Sequence, residues 1–335
     1  MKISASVYSS KKNDLPSLVE DLDHHKIDAF HVDCNDDMSV FDDIKIIRSI
    51  SNTPIDLHII SSDPAKYLPL IEEYAIEYVQ FQYENLESPL KLPAKSKTRF
   101  GLAIVSDSPI EVFEKYENQC SFILLMTTVP GQSGGQFRKD NFQKIRKFRN
   151  RFPGKKIHVD GGVNDEVSFI LRNMGVNMVI SGSYLVNSAS IGAALLNMRL
   201  ENVDSRYKIR DFMIDIEDLP LLKKPEATFS HALQTIEKYE LGFVFFINGN
   251  NRLEGMASNA DVRKGLLKNL NNLNKTSIED IMNPEPITIN QDATISDMLR
   301  LIKSQNFIIS FLPVVNGQNQ LVGAITFFNL IRGEA

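Results

Sequence analysis

The sequence predicts a (β/α)8 barrel followed by a smaller α+β domain built from two copies of one unit. Three observations predict it. Eight short β-branched or aliphatic runs recur through the first two hundred residues, helix-length segments with apolar residues three and four apart separate them, and beyond residue 210 a set of residues returns at a nearly constant offset. A chain of 335 residues also exceeds one ordinary domain, since domains hold roughly 100 to 200 residues and barrels run to about 250. Two domains are therefore expected, over 1–202 and 208–335, with the polar stretch near 200–208 as linker.

The strand runs fall at 2–8, 29–33, 55–60, 78–83, 99–105, 121–127, 156–160 and 177–181. Between them, Leu15, Leu18 and Leu22, and again Phe142, Ile145 and Phe148, carry the helical spacing. Eight alternations at about 25-residue intervals suit a closed parallel barrel, whereas an open doubly wound sheet more often stops at five or six strands. Farther on, Met213, Phe243, Gly249, Gly255, Ser258 and Asp261 are matched by Met282, Phe311, Gly317, Gly323, Thr326 and Asn329. The first pair is 69 residues apart and the rest are 68. Each copy reads as a helix, an aliphatic strand, an Asn-Gly turn (Asn248-Gly249, Asn316-Gly317), a second strand and a closing helix.

Composition narrows the function. There are 37 basic against 42 acidic residues, a net charge of −5, so no basic field invites a nucleic acid. Hydrophobic content of 43% and charged content of 24% are ordinary globular values. Cys34 and Cys120 are the only cysteines, too few for a disulfide framework and wrongly spaced for a thiolate zinc site. The first residues turn polar at Ser9-Ser10-Lys11-Lys12 without the apolar stretch of a secretory signal. Nor does any run approach the roughly 20 apolar residues of a membrane span. The expectation is a soluble, cytoplasmic protein in a reducing compartment, with neither membrane nor nucleic acid as partner.

Barrels of this class place their chemistry where strands end at the C-terminal edge. Strand two ends in Phe30-His31-Val32-Asp33, strand three contains Asp56-Leu57-His58, and strand seven ends in His158-Val159-Asp160-Gly161-Gly162. His31 and Asp33 are two apart and share a strand face, and by the same parity His58 and Asp160 can join them in the mouth. Two imidazoles and two carboxylates suit a divalent Zn, Mn, Co or Fe ion. Four such groups buried without a cation or substrate would carry a heavy desolvation penalty. Glycines gather in the late loops, in Pro130-Gly131-Gln132-Ser133-Gly134-Gly135, in Gly161-Gly162 and at Gly182-Ser183. Backbone N–H groups there can approach an anion closely, which favours a phosphorylated substrate.

With these residues in view, the first two hundred positions resemble ribulose-phosphate 3-epimerase. The likeness rests on Lys2-Ile3-Ser4-Ala5-Ser6, His31-Val32-Asp33, Asp56-Leu57-His58, Leu125-Met126-Thr127 with its Pro-Gly and Gly-Gly-Gln loop, Val159-Asp160-Gly161-Gly162, and Gly182-Ser183. The resemblance implies that His31, Asp33, His58 and Asp160 are metal ligands, with Asp33 and Asp160 as the paired acid and base. It places Ser6 near the substrate and Gly134, Gly162, Gly182 and Ser183 at its phosphate. The pattern departs at Cys34-Asn35-Asp36-Asp37, at Ile60, and in the sixth loop, which is one residue longer than the common form. Those changes touch the substrate's walls, not the ion.

The repeat resembles a pair of CBS motifs, tandem modules that often bind adenine nucleotides. Ser258-Asn259-Ala260-Asp261 keeps the family's Ser/Thr-x-x-Asp, which implies Ser258 and Asp261 as nucleotide contacts, whereas Thr326-Phe327-Phe328-Asn329 ends in Asn. A purely structural pair, serving dimerisation or contact with the barrel, is the competing reading, and a homo-oligomer is expected. The implied activity is metal-dependent 3-epimerisation of a ketose phosphate, ribulose 5-phosphate to xylulose 5-phosphate through an enediolate, regulated by an adenine nucleotide. Two alternatives stand beside it: the same chemistry on a ketohexose 6-phosphate such as allulose 6-phosphate, and a non-catalytic sugar-phosphate sensor.

Overall fold

The computed structural model describes residues 1–11, 14–128, 135–199, 206–307 and 309–327. The chain divides into two compact units, Met1–Val203 and Asp204–Ile331. In the first, eight parallel strands close a barrel in sequence order: β1 (Lys2–Ser6), β2 (Ala29–Cys34), β3 (Ile55–Ile59), β4 (Tyr78–Gln82), β5 (Arg99–Val105), β6 (Phe122–Met126), β7 (Lys156–Asp160) and β8 (Met178–Ser181). The helices around it are α1 (Leu15–His24), α2 (Val40–Ile50), α3 (Leu68–Glu73), α4 (Asp140–Arg151), α5 (Asp165–Asn173), α6 (Ser183–Val186) and α7 (Ile191–Arg199). Their starts follow local chemistry. Asp14 caps α1 by accepting from Ser17 N at 2.9 Å, and Asn164 caps α5 by accepting from Val167 N at 2.9 Å.

The barrel interior is divided by polarity. Ala29, Tyr78, Phe122 and Met178, one from each even-numbered strand, form an apolar layer, the four-residue stacking that a closed parallel barrel imposes. Gly101 makes room for it, because a Cβ there would lie 2.3 Å from Phe122 Cε2. The Phe122 ring then stacks on His158 at a centroid distance of 4.1 Å. Ala103, Leu124, Met126 and Ile180 keep the β5, β6 and β8 side apolar. Against them, β2, β3 and β4 bury His31, Asp56, His58, Gln80 and Gln82. Buried polar side chains need partners, and that half of the barrel is where the functional groups gather.

The second unit contains α8 (Ile209–Phe212), β9 (Ile214–Asp215), β10 (Leu221–Lys223), α9 (Phe229–Tyr239), β11 (Phe243–Ile247), β12 (Leu253–Ser258), α10 (Asn259–Lys268), β13 (Ile289–Asn290), α11 (Ile295–Lys303), β14 (Phe311–Val315) and β15 (Leu321–Thr326). Two sheets result, β10-β11-β12 and β13-β14-β15-β9. The expected repeat is visible in their register. Each hairpin carries a bulge at the same place, between Phe246 and Ile247 and between Val314 and Val315, and Phe243 stacks on its counterpart Phe311 at 4.2 Å. The turns differ in one respect from a simple Asn-Gly hairpin. The left-handed residues are Asn251 and Asn319, both at φ 58°, not the glycines. Asn248 Oδ1 accepts from Asn250 N and Arg252 N, and Asn316 Oδ1 accepts from Gln318 N and Gln320 N, so side-chain hydrogen bonds shape a longer turn. Among the described residues, no helix is long and apolar enough to cross a membrane.

Candidate active site

The β2–β3 register builds the centre of the site, pairing His31 with Asp56 and Asp33 with His58. Partners in a parallel ladder share a face. His31 Nε2 and His58 Nδ1 both lie 3.3 Å from Asp33 Oδ1. Ligand atoms of His31, Asp33 and His58 all fall within 4.8 Å of one another. The two imidazoles have no exposed side-chain surface, while Asp33 keeps 29%, so the carboxylate is the member that meets the mouth.

A second tier holds the rings in place. Asp56 Oδ2 is 2.8 Å from His31 Nδ1, and Gln82 Oε1 is 2.8 Å from His58 Nε2. In each ring the nitrogen away from Asp33 is taken. Nδ1 of His58 is buried without a hydrogen-bond partner, its approach to Asp33 being unaligned. An unsatisfied buried group of this kind costs about 1–3 kcal/mol. Two imidazole nitrogens and a carboxylate oxygen turned toward one point form the mixed N/O donor set that borderline divalent ions prefer. The partnerless Nδ1 is the observation that the set fits such an ion.

Asp160 ends β7, and Thr127 holds its backbone carbonyl through N at 2.7 Å and Oγ1 at 2.9 Å. It stands outside the tight group formed by His31, Asp33 and His58, yet it lines the same cavity as Asp33, a space of about 480 Å³. The two carboxyls titrate in opposite directions. Burial works against ionising Asp33, but His31 and His58 override it and hold the carboxyl well below the usual carboxylate range. Asp160 is pushed up to about 6, chiefly by burial; His31 opposes the rise and Asp33 adds to it. His31 itself is disfavoured as a cation by burial, yet Asp56 and Asp33 raise it well above the ordinary imidazole value.

Ser6, Gly162, Gly182 and Ser183 line this cavity too. Ser6 Oγ lies 3.0 Å from Ser9 Oγ, and a Cβ at Gly182 would sit 2.4 Å from that Ser9 oxygen. Gly162 takes φ 66° and packs where a Cβ would be 2.2 Å from Phe137 N. Only glycine fits a positive φ with backbone that close. Gly134 lies outside the described residues, with the rest of 129–134.

Several site residues carried no expectation. Asp56 was legible by parity, two positions before His58 on one strand. Gln82 and Glu84 were not, because nothing in their spacing distinguishes them from a solvated pair. The altered loop after β2 has its own logic. Asp36 adopts φ 59° and accepts from Lys66 Nζ at 2.7 Å, from Tyr67 OH at 3.1 Å and from Ser61 Oγ. A carboxylate thus ties down the loop after β2, and Asn35 faces the cavity.

In the second unit, Ser258 caps α10 and Asp261 closes a capping box. Ser258 N donates to Asp261 Oδ2 at 3.0 Å and Ser258 Oγ donates to it at 2.6 Å. Thr294 and Asp297 repeat the arrangement at α11, so the Ser/Thr-x-x-Asp pattern serves helix initiation in both places. Asp261 retains 25% side-chain exposure, and its Oδ1 lies 3.8 Å from Lys264 Nζ. Asn329 lies outside the described residues.

Comparison with known proteins bears on both units. Residues 2–186 match the model of the Ribulose-phosphate 3 epimerase family, and residues 278–334 match that of the CBS domain. The ribulose-phosphate 3-epimerase of Bacillus subtilis is 24% identical over 213 residues, 59% of this chain and 98% of the relative. That of Methanocaldococcus jannaschii is 24% identical over 228 residues, 63% of this chain and 97% of the relative. Among solved structures, the CBS-pair protein CBSX2 from Arabidopsis thaliana is 25% identical, covering 38% of this chain and 94% of that one, with a TM-score of 0.33. A structure of CBSX2 in complex with AMP is 26% identical with a TM-score of 0.32, over 38% of this chain and 94% of that one.

Proposed function

The chain belongs to the ribulose-phosphate 3 epimerase family, and on that premise we propose that its barrel, read as 1–202, inverts C3 of ribulose 5-phosphate to give xylulose 5-phosphate. One observation carries the reading. Asp33 and Asp160 line a single cavity from β2 and β7, separated around the rim by β8 and β1. Inversion removes a proton from one face of the carbon and returns one to the other, so it needs two groups approaching from different directions.

Asp33, held ionised by its two imidazoles, takes the base role. Asp160, buried and easier to protonate, takes the acid role on the other face. In the return reaction the roles exchange. His31, Asp33, His58 and Asp160 would hold a divalent ion, Zn, Fe, Mn or Co. When bound, that ion supplies positive charge against the developing enediolate, which a lone carboxylate base cannot generate unaided. Ser6 orients the sugar, and the backbone at Gly162, Gly182 and Ser183 receives the phosphate. Gly134 completes that cradle in our proposal.

Proton exchange in deuterated water tests the chemistry, paired with metal analysis of the purified protein. The expected result is a divalent ion bound to the protein and deuterium entering C3 of ribulose 5-phosphate. Faster exchange with allulose 6-phosphate would reassign the sugar and leave the mechanism. Absence of exchange with both sugars would overturn the enzymatic reading in favour of a sugar-phosphate sensor.

For the second unit, read as the CBS pair over 208–335, the proposal extends to an adenine nucleotide contacted by Ser258 and Asp261. The capping-box hydrogen bonds use Oδ2 of Asp261 and leave Oδ1 with Lys264 beside it on a partly exposed carboxylate, which supports it.

A further inference from the structure

The hydrogen bonds behind His58 have a direction, and it can be read from groups whose roles are unambiguous. A backbone N–H only donates. Val105 N donates to Glu84 Oε1 at 3.0 Å, and Ser108 Oγ donates to the same oxygen. The other oxygen, Oε2, accepts from Gln82 Nε2. A carboxylate cannot donate and an amide nitrogen cannot accept, so Glu84 decides which way the Gln82 amide points. Its carbonyl Oε1 is thereby turned to His58 Nε2 at 2.8 Å. A carbonyl oxygen accepts only, so the proton of a neutral His58 must sit on Nε2 and the lone pair on Nδ1. Lys144 secures the far end of this chain, donating from α4 to the carbonyls of Val105 at 2.6 Å and Ser108 at 2.7 Å.

The direction matters because a competing pull exists. Asp33 Oδ1 lies 3.3 Å from Nδ1 and would otherwise draw a proton onto that nitrogen, since a charge-assisted hydrogen bond is the stronger kind. A protonated Nδ1 cannot ligate an ion.

We propose that Gln82 and Glu84 are positioning residues for the metal site, with Glu84, acting through Gln82, fixing His58 as the Nε2–H tautomer and leaving Nδ1 bare for the ion. The proposal rests on the reading of His31, Asp33, His58 and Asp160 as metal ligands. Outer-shell partners of metal-ligating histidines typically affect affinity by about 10–100-fold. Titration of the full-length protein with Co2+, together with nitrogen NMR of 15N-histidine-labelled protein, separates the two ideas. Wild type should bind Co2+, and its metal-free form should show His58 with Nε2 protonated. Glu84→Gln, which removes the obligatory acceptor, and Gln82→Leu, which cuts the chain, should each weaken Co2+ binding about tenfold or more below the variant's melting transition, where circular dichroism matches wild type, with the His58 proton redistributed toward Nδ1. An Nδ1–H tautomer in metal-free wild type would overturn the relay without recourse to any variant. Variants binding within twofold of wild type, with the tautomer unmoved, would overturn it too. Failure of wild type to bind Co2+ would instead remove the metal-site reading and the relay with it.

Discussion

Asp33 and His31 are separated by one residue, and everything chemical about β2 follows from that spacing. Val32 faces the helices, so its neighbours meet in the barrel, where His31 and His58 hold Asp33 ionised against the cost of burial. Asp160, pushed up chiefly by its burial, drifts the other way. Because general acid or base assistance contributes about 10²–10⁴ in rate, Asp33→Asn and Asp160→Asn should each lower turnover at least roughly 10³-fold. Circular dichroism and the melting curve should stay close to wild type. Near-normal rates in either variant would remove that residue from the mechanism. These side chains were legible because strand parity is a local rule. Gln82 and Glu84 were not, since the hydrogen bond from His58 to Gln82 spans 24 residues of sequence and only the pairing of β3 with β4 brings the two side chains together.

At the level of elements, Gly101 in β5 shows how the barrel trades backbone for side chain. Phe122 fills the space above it and stacks on His158. Gly101→Ala would drive a methyl into that ring, and overpacking of this kind costs about 1–3 kcal/mol. Urea unfolding should therefore show a lowered midpoint with an unchanged slope. An unaltered midpoint would mean that Phe122 moves aside freely. The spaced leucines of α1 were readable from the sequence, because a helix face is determined within a few residues. The turns of the second unit were only half readable. Asn248-Gly249 announced a hairpin, but Asn251 takes the left-handed position because the Asn248 side chain bonds ahead to Arg252 N.

Across the whole molecule, an epimerase-family barrel is joined to a unit in which one hairpin design occurs twice. A nucleotide that binds the folded second unit must stabilise it by mass action, by about 2.7 kcal/mol at a ligand concentration a hundred times its Kd. ATP, ADP or AMP should therefore raise the melting temperature, and Asp261→Ala should abolish the rise, over and above a baseline loss of about 1 kcal/mol from the broken cap. A flat titration with all three nucleotides would leave the pair a structural role. Local sequence already carries the barrel's strand count, the 68-residue repeat and the inward parity of His31, Asp33, His58 and Asp160. Each of these is a periodicity, written into neighbouring residues by side-chain geometry. Only the folded arrangement reveals that Asp160 sits apart from the close trio, that Asp36 ties down the loop after β2, and that Glu84 reaches His58 through Gln82. Those are contacts between strands and loops distant along the chain, and their distances are set by closure of the sheet, which no local pattern encodes.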